Sequence, residues 1–505
     1  MSTERVVPPP PVEFELLPEP PLMFGGSTMA RDPKVGLARA GPAGLDTTLH
    51  PTEIDIALIG TGTTIDAGQR WVEDCANIVP GNAKKPRQVP DFPGFSPTSP
   101  FKSVMRPQQA TQGLITDMDV RSIIGEARYE DGFKRAVDLL TEKVTLTCES
   151  LPGARVIFCA IPQPIVDYCM EAGSYLRRHG SSNAIMSKLL KLEDDHGQLP
   201  LFEHSAAAQR SEDIIYRNLR RALKATTMKL RRPLQLGLET SLFSTRSQHP
   251  ATKAWNFCVA QYYKATGALP WRLEGMDPNA CFVGISFFQE IIDGGSFKMR
   301  TSLAQVFSGD GDAFVVRGHP FRWEQRKTPH LSREGAEALM KLIIDRYKEF
   351  KGNQPPQRVV IHKTSKFYEE EHEGFVAGLS GVRQYDLVSI QKVGMRFFRE
   401  GGYPPLRRTY ARCGSGHFLY TLGYIPELGT YPKGYVPEPW YLLDHHGDTT
   451  PKRLFKEILA LSKMNFNNVD FADGDPITTR FAQRIGEILA YMKEGEEDKH
   501  YRYYM

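Results

Sequence analysis

The chain has 505 residues, 41% of them hydrophobic, and a formal net charge of +4 at pH 7. That length allows two or more domains with large cores, and so small a net charge neither demands nor excludes a polyanionic partner. Seven cysteines, an odd number without a C-x-x-C pair, argue against a disulfide framework or a zinc site and read as buried thiols of a reducing cytoplasmic compartment. With no apolar run of about 18 residues and no charged-then-apolar start, neither a membrane span nor a signal peptide is expected.

The opening VVPPPPVEFELLPEPP is proline-rich and is expected to be an extended or disordered arm, setting residues 1–45 apart. The first clear strand is Ile54–Ile59, an apolar run broken only by Asp55 and bounded by Pro and Gly, of the kind found inside a parallel sheet. Gly60-Thr61-Gly62 after it lacks a third glycine and a clean helix start, which argues against a dinucleotide loop. The polar, proline-rich stretch Asn82–Pro107 reads as a long loop or insertion. Helices are predicted at about 129–144 and 164–178, flanking a strand over Arg155–Ile161 that Pro162 stops. A further helix within 217–235 runs into a strand started by Pro233, and another helix spans 254–267. This alternation gives residues 46–272 a Rossmann-like α/β layer.

From residue 273 the pattern changes. Strands are predicted at 281–288, 297–303 and 313–317, with a turn at Asp293-Gly294-Gly295, then a helix at 332–351, a strand at 358–363, a helix at 367–378 and a strand at 384–391. Hairpin strands followed by strand–helix alternation fit a ribonuclease H-like sheet. A hairpin-rich aromatic stretch (Phe418–Tyr441) and helices at 451–463 and 477–493 complete the chain, and no internal repeat is visible.

Arg220 and Lys224 stand at i and i+4 and so share one helix face, while Lys264 closes the next helix. Cations and amides at element ends can converge on a phosphate, because charge-assisted hydrogen bonds are about twice as strong as neutral ones. Solvated cations on amphipathic helices give the same spacing. His445-His446-Gly447-Asp448 has metal-ligand residue types, but neighbours on a strand point to opposite faces and cannot easily share one ion. Tyr368-Glu-Glu-Glu-His-Glu373 opens a helix, where acids complement the dipole.

In order, Arg220, Lys224, Gln235, Asn256 and the helix-ending Lys264 resemble the guide 5′-phosphate pocket of the MID domain of Argonaute proteins. The strand Cys281-Phe-Val-Gly-Ile285 ending at Ser286 resembles the first PIWI strand, which in the family ends in a catalytic Asp. Arg358-Val-Val-Ile-His-Lys-Thr364-Ser365 resembles the family's strand followed by Arg-Asp-Gly, with Thr364 at the acid. DGDPITTRFAQRIGEILAYM (473–492) resembles the closing PIWI helix, with Gln483 at the last metal ligand. The second acid lies on a variable loop and is not placed; Asp293, Asp310 and Asp312 are loop acids that could replace a missing ligand.

The resemblance implies an α/β protein with a Rossmann-like MID domain (46–272) followed by a ribonuclease H-like PIWI domain (273–505). It is to the short prokaryotic Argonautes, made of MID and PIWI only. Two-metal phosphodiester hydrolysis needs clustered carboxylates, and Ser286, Thr364 and Gln483 supply none, so a nucleic-acid clamp rather than a nuclease is expected. Also implied are a guide RNA held by its 5′-phosphate, with Met505 joining through Mg²⁺, and single-stranded target DNA read by base pairing. An APAZ-containing effector partner, a TIR or sirtuin NADase or a nuclease, would then be activated in cytoplasmic defence by abortive infection. The alternatives are a guide-directed endonuclease and a guide-independent single-strand-binding protein. Basic residues at 217–232 and 396–412 are expected to line a backbone channel, and the apolar residues of the arm and of 418–441 belong either to the core or to a covered surface.

Overall fold

The computed structural model describes residues 11–126, 129–169, 219–239, 248–292, 296–308, 313–321 and 329–505, except 399, 403, 434 and 494. They form two compact units, one from the described parts of Met1–Thr52, Cys75–Val104 and Gln248–Tyr504, the other from those of Glu53–Asp74, Met105–Ser247 and Met505. The strands in chain order are β1 (Val12–Leu16), β2 (Leu22–Met23), β3 (Met29–Ala30), β4 (Glu53–Gly60), β5 (Val104–Leu114), β6 (Val156–Ile161), β7 (Leu234–Leu238), β8 (Arg272–Leu273), β9 (Ala280–Ile292), β10 (Ser296–Ser308), β11 (Ala313–Phe321), β12 (Arg358–Lys363), β13 (Gln384–Lys392), β14 (Thr409–Cys413), β15 (Gly416–Leu419) and β16 (Trp440–Gly447). The helices are α1 (Pro33–Ala40), α2 (Gly62–Asp74), α3 (Asp117–Ile124), α4 (Tyr129–Ser150), α5 (Pro250–Thr266), α6 (Arg333–Phe350), α7 (Glu369–Ala377), α8 (Pro451–Leu461) and α9 (Ile477–Leu489).

The smaller unit is the Rossmann-like layer. Its sheet runs β5-β4-β6-β7, with β4, β6 and β7 parallel. Every residue of β6 is buried, as a strand covered on both faces requires. Phe158 packs into space left by Gly68 of α2 and Gly237 of β7, whose missing Cβ atoms would otherwise fall 3.2 and 2.7 Å from its ring. Contrary to expectation, a helix does start cleanly after β4: α2 begins at Gly62, and the Thr61 hydroxyl accepts from the Thr64 amide at 3.3 Å.

The larger unit is built on a nine-stranded sheet in the order β1-β14-β15-β16-β13-β12-β9-β10-β11. Within it, β9, β10 and β11 form an antiparallel meander, while β12 and β13 run parallel to β9, which is the ribonuclease H-like arrangement. Alternation along β9 sends Cys281, Val283 and Ile285 into a core with Ile343 and Ile344 of α6 and Phe375 of α7. α9 packs against β9, β10 and β12.

Two expectations change here. Among the described residues the arm is extended over Val12–Leu16 but not free-standing: that strand pairs antiparallel with β14, and Leu17, Leu22 and Phe24 are fully buried. The stretch Asn82–Pro107 is packed rather than inserted, since Phe92 and Phe101 lie against Trp255 of α5 with ring centroids 5.1 and 6.3 Å away, and from Val104 it is already strand β5. The aromatic stretch 418–441 belongs largely to the core, with Phe418, Tyr420, Ile425 and Trp440 buried.

Candidate nucleic-acid interface

Of the three positions read as replaced acids, Thr364 follows the end of β12, whereas Ser286 does not end its strand, since β9 runs on to Ile292 paired with β10, and Gln483 lies within α9. β12 pairs with β9 up to His362 opposite Gly284, so Ser286 and Thr364 each stand two residues past the last paired step on adjacent parallel strands. Ser286 is half-buried, Thr364 is exposed just beyond the end of β12, and Gln483 is exposed on α9. Below them the packing is tight. A Cβ on Gly284 would meet the Thr478 carbonyl at the start of α9 and lie 3.1 Å from Thr478 Cα, so only glycine lets the helix approach β9 this closely. His362 Nδ1 and Thr478 Oγ1 are 2.8 Å apart. Full burial, with the nearby Arg358 charge, pulls the His362 imidazole down to about 3, so it is neutral at pH 7.

Charges around this edge are compensated within the protein. Lys363, next to Thr364, donates to both oxygens of buried Glu371 at 2.8 and 2.6 Å and lies over the Phe287 and Phe367 rings. Glu371 also accepts from the Leu331 and Tyr368 amides, closing the first turn of α7. Buried Arg358 donates to Asp386 at 2.7 Å and to both oxygens of Glu457 at 2.6 and 3.1 Å. His445 and His446 diverge as strand geometry requires: His445 Nε2 lies 2.9 Å from Asp386, whereas His446 Nε2 lies 3.1 Å from Asp444 and its ring stacks on His372. Among the described residues no three His, Cys, Asp or Glu side chains are arranged to hold a metal ion, and Asp293, Asp310 and Asp312 lie outside the described residues.

The residues read as a phosphate pocket divide between the units. Arg220, Lys224, Gln235 and Met505 belong to the smaller one, Asn256 and Lys264 to the larger. Arg220 is half-buried and Lys224 buried on a helix at 219–227, and Gln235 sits in β7. Met505 is buried. Lys264 is buried in the last turn of α5, where a cation is favoured by the helix dipole. Asn256 Oδ1 accepts from the Val469 amide at 2.9 Å, tying α5 to the loop before α9.

The basic stretch 396–412 departs most from its sequence reading. Arg396 pairs with Glu438 at 2.7 Å and Arg412 with Glu13 at 3.0 Å, while Arg407 is buried against Glu19 and Arg408 lies 3.6 Å from the same carboxylate. Lys463 also donates to Glu19, at 2.8 Å. Burial pushes the Glu19 carboxyl up, but Arg407 and Lys463 outweigh that and hold it below the usual carboxylate range. Burial pulls Lys463 down to about 8 despite Glu19. Sequence reasoning missed these counter-charges because Glu13 and Glu19 are nearly 400 positions from the arginines they meet.

No protein-family model matches the sequence, and no curated protein matches it. Solved structures do. Clostridium butyricum Argonaute bound to a guide DNA and a 19-mer target DNA matches 96% of this chain at 16% identity with a TM-score of 0.56, the chain covering 54% of that protein. Aa-Ago with externally bound siRNA matches 97% of this chain at 13% identity with a TM-score of 0.55, over 56% of that protein. The chain therefore spans about half the length of the Argonautes it matches. At these identities the likeness is one of fold, and the fold of this chain is Argonaute-like, a Rossmann-like layer followed by a ribonuclease H-like sheet.

Proposed function

We propose that the chain is a guide-dependent nucleic-acid sensor of the short prokaryotic Argonaute kind that does not cut its target. The reading rests on the Argonaute-like fold, together with the sequence resemblance that assigns Ser286, Thr364 and Gln483 to positions where a nuclease of this fold needs acids. Neutral hydroxyls and an amide cannot compensate two divalent cations. The guide, an RNA, is held by its 5′-phosphate through Arg220, Lys224, Gln235, Asn256 and Lys264. Three cations and two amides suit a doubly charged phosphate, and a Mg²⁺ ion bound to that phosphate would offset part of its charge. Single-stranded DNA of an invader is then read by base pairing, and its capture activates a partner, an APAZ-containing effector with TIR, sirtuin or nuclease activity, for abortive infection.

The test compares 5′-phosphorylated with 5′-hydroxyl guide RNA. Lys224→Ala and Lys264→Ala should each weaken the phosphorylated guide by about 1.5–3 kcal/mol and leave the hydroxyl guide nearly unchanged, since each removes one charge-assisted bond. Equal losses for both guides would remove the pocket assignment. The loaded protein should leave complementary DNA intact in Mg²⁺ or Mn²⁺, and a single cut opposite the centre of the guide would overturn the non-cutting reading.

A further inference from the structure

The two edges of the nine-stranded sheet are finished differently. At β11 the chain caps its own edge: the Val315 amide donates to the Lys499 carbonyl at 2.8 Å, and Phe314 bridges to His500. At β1 no second partner follows; among the described residues the strand pairs with β14 alone. Such an edge presents a row of unpaired backbone donors and acceptors, ready to template another strand.

β1 is also held rigid and is chemically two-faced. Immediately after it, the Leu17 amide donates to the Arg408 carbonyl at 3.1 Å and Glu19 is locked between Arg407 and Lys463. One face carries Val12, Phe14 and Leu16, exposed by 42, 57 and 46%. Phe14 meets Phe397 edge-on at 5.4 Å, Phe397 meets Phe418 at 5.2 Å and Phe418 meets Tyr441 at 5.0 Å. An aromatic row thus crosses the sheet and stops, half-covered, at its open edge. The other face carries Glu13, paired to Arg412, and Glu15, paired to Lys452 at 2.7 Å, both with their outer sides in solvent.

This pattern selects the occupant. A second copy pairing antiparallel about Phe14 would match the apolar residues but set Glu13 against Glu15 on both sides, and directly opposed like charges destabilise a strand pair. We propose that β1 is the docking edge for an extended segment of a partner protein in which apolar residues alternate with Lys or Arg. Its apolar side chains continue the aromatic row, and its cations lie across from Glu13 and Glu15. The inference leans on the proposed function only in expecting a partner; the edge itself involves no guide or target.

Two short labelled peptides probe it on the full chain without nucleic acid, one alternating Val with Lys and one alternating Val with Glu. The Lys peptide should bind more tightly by roughly three- to tenfold, the worth of two cross-strand charge pairs, and should slow amide exchange across Val12–Leu16. Reversing both charges with Glu13→Lys and Glu15→Lys should switch the preference to the Glu peptide, with an unchanged unfolding midpoint showing that the fold persists. No binding by either peptide, or equal binding of both, overturns the proposal. Concentration-dependent dimerisation abolished by Phe14→Lys overturns it in favour of a second copy. Because no guide is present, failure here leaves the phosphate-pocket experiment untouched, and the converse also holds.

Discussion

Glu19→Gln is the most exacting test of how the N-terminal segment is joined to the ribonuclease H-like unit. The substitution keeps the shape of the side chain but removes the charge that Arg407 and Lys463 share. Arg407 donates to Glu19 through Nε at 3.2 and 3.1 Å and through a terminal nitrogen at 3.1 Å, Lys463 donates at 2.8 Å, and all three side chains are buried. Arg407 also donates to the Thr421 carbonyl and to Ser462 Oγ, and Lys463 to the Arg31 carbonyl, so neither cation can swing into water without breaking other bonds. Stranding a buried charge in this way costs about 3–5 kcal/mol. Lys463 supplies a second signature. With its folded pKa already near 8, loss of Glu19 lowers it further, while the unfolded value stays at the ordinary lysine level. At pH 7 the variant bears the cost of that extra lowering; above pH 8 the folded wild type also releases the proton, so the deficit shrinks as pH rises. Denaturant unfolding at pH 7 and pH 9.5 measures both quantities. A loss below about 1 kcal/mol, or a loss equal at the two pH values, would refute the reasoning.

Gly284→Ala should destabilise the protein by about 1–3 kcal/mol, because α9 must back away from β9; a change within about 0.5 kcal/mol would mean the contact yields freely. Lowering the pH from 7 to 5 should cost about 2 kcal/mol through His362, whose folded pKa of about 3 lies below the unfolded value of 6.5. The unfolded state binds the proton first, so this stability is present above pH 6.5 and is lost as pH falls; if His362→Asn leaves the pH slope unchanged, the assignment fails. Guide binding should weaken with salt by a log–log slope of about 0.7 per phosphate neutralised, and Lys224→Ala should reduce that slope whereas Arg412→Gln should not, since Arg412 is paired with Glu13. Equal slopes for the two variants would contradict the assignment of Lys224 to the guide phosphate.

The strands and helices from 280 to 392 were legible because each signal is local: alternation along β9, an apolar stripe on α6, and a proline or glycine near most boundaries. The same holds for β4 and β6, whose apolar runs Ile56–Ile59 and Val156–Ile161 state their burial on both faces. What escaped sequence reading depends on contacts between distant segments. Nothing in VEFEL says that its edge partner is Thr409–Cys413, or that Glu13 and Glu19 neutralise arginines that look free in the sequence. The candidate pocket was legible only as an order of residue types. Burial of Lys224 and Lys264 and the engagement of Asn256 with Val469 come from packing that spacing does not encode.

The charge balance at the ribonuclease H-like edge bears on the proposal that its acids are replaced. A cluster of carboxylates at strand ends repels itself and raises its own pKa values unless cations are supplied, so a nuclease site of this kind is an electrostatic strain that metal ions relieve. Here the carboxylates nearest that edge are already matched, Glu371 by Lys363 and both Asp386 and Glu457 by Arg358, inside packing where removal of either member would strand a buried charge. Ser286, Thr364 and Gln483 add no repulsion and create no demand for a divalent ion. An edge so compensated can hold α9 tightly on β9 through Gly284, Thr478 and His362 with no ligand bound. Such a preformed edge would suit the proposed non-cutting role, because a preformed site avoids ordering costs on binding. The same edge rebuilt with Asp at Ser286 and Thr364 would add carboxylates near Lys363, whose ammonium already donates to Glu371, and their mutual repulsion would weigh on stability.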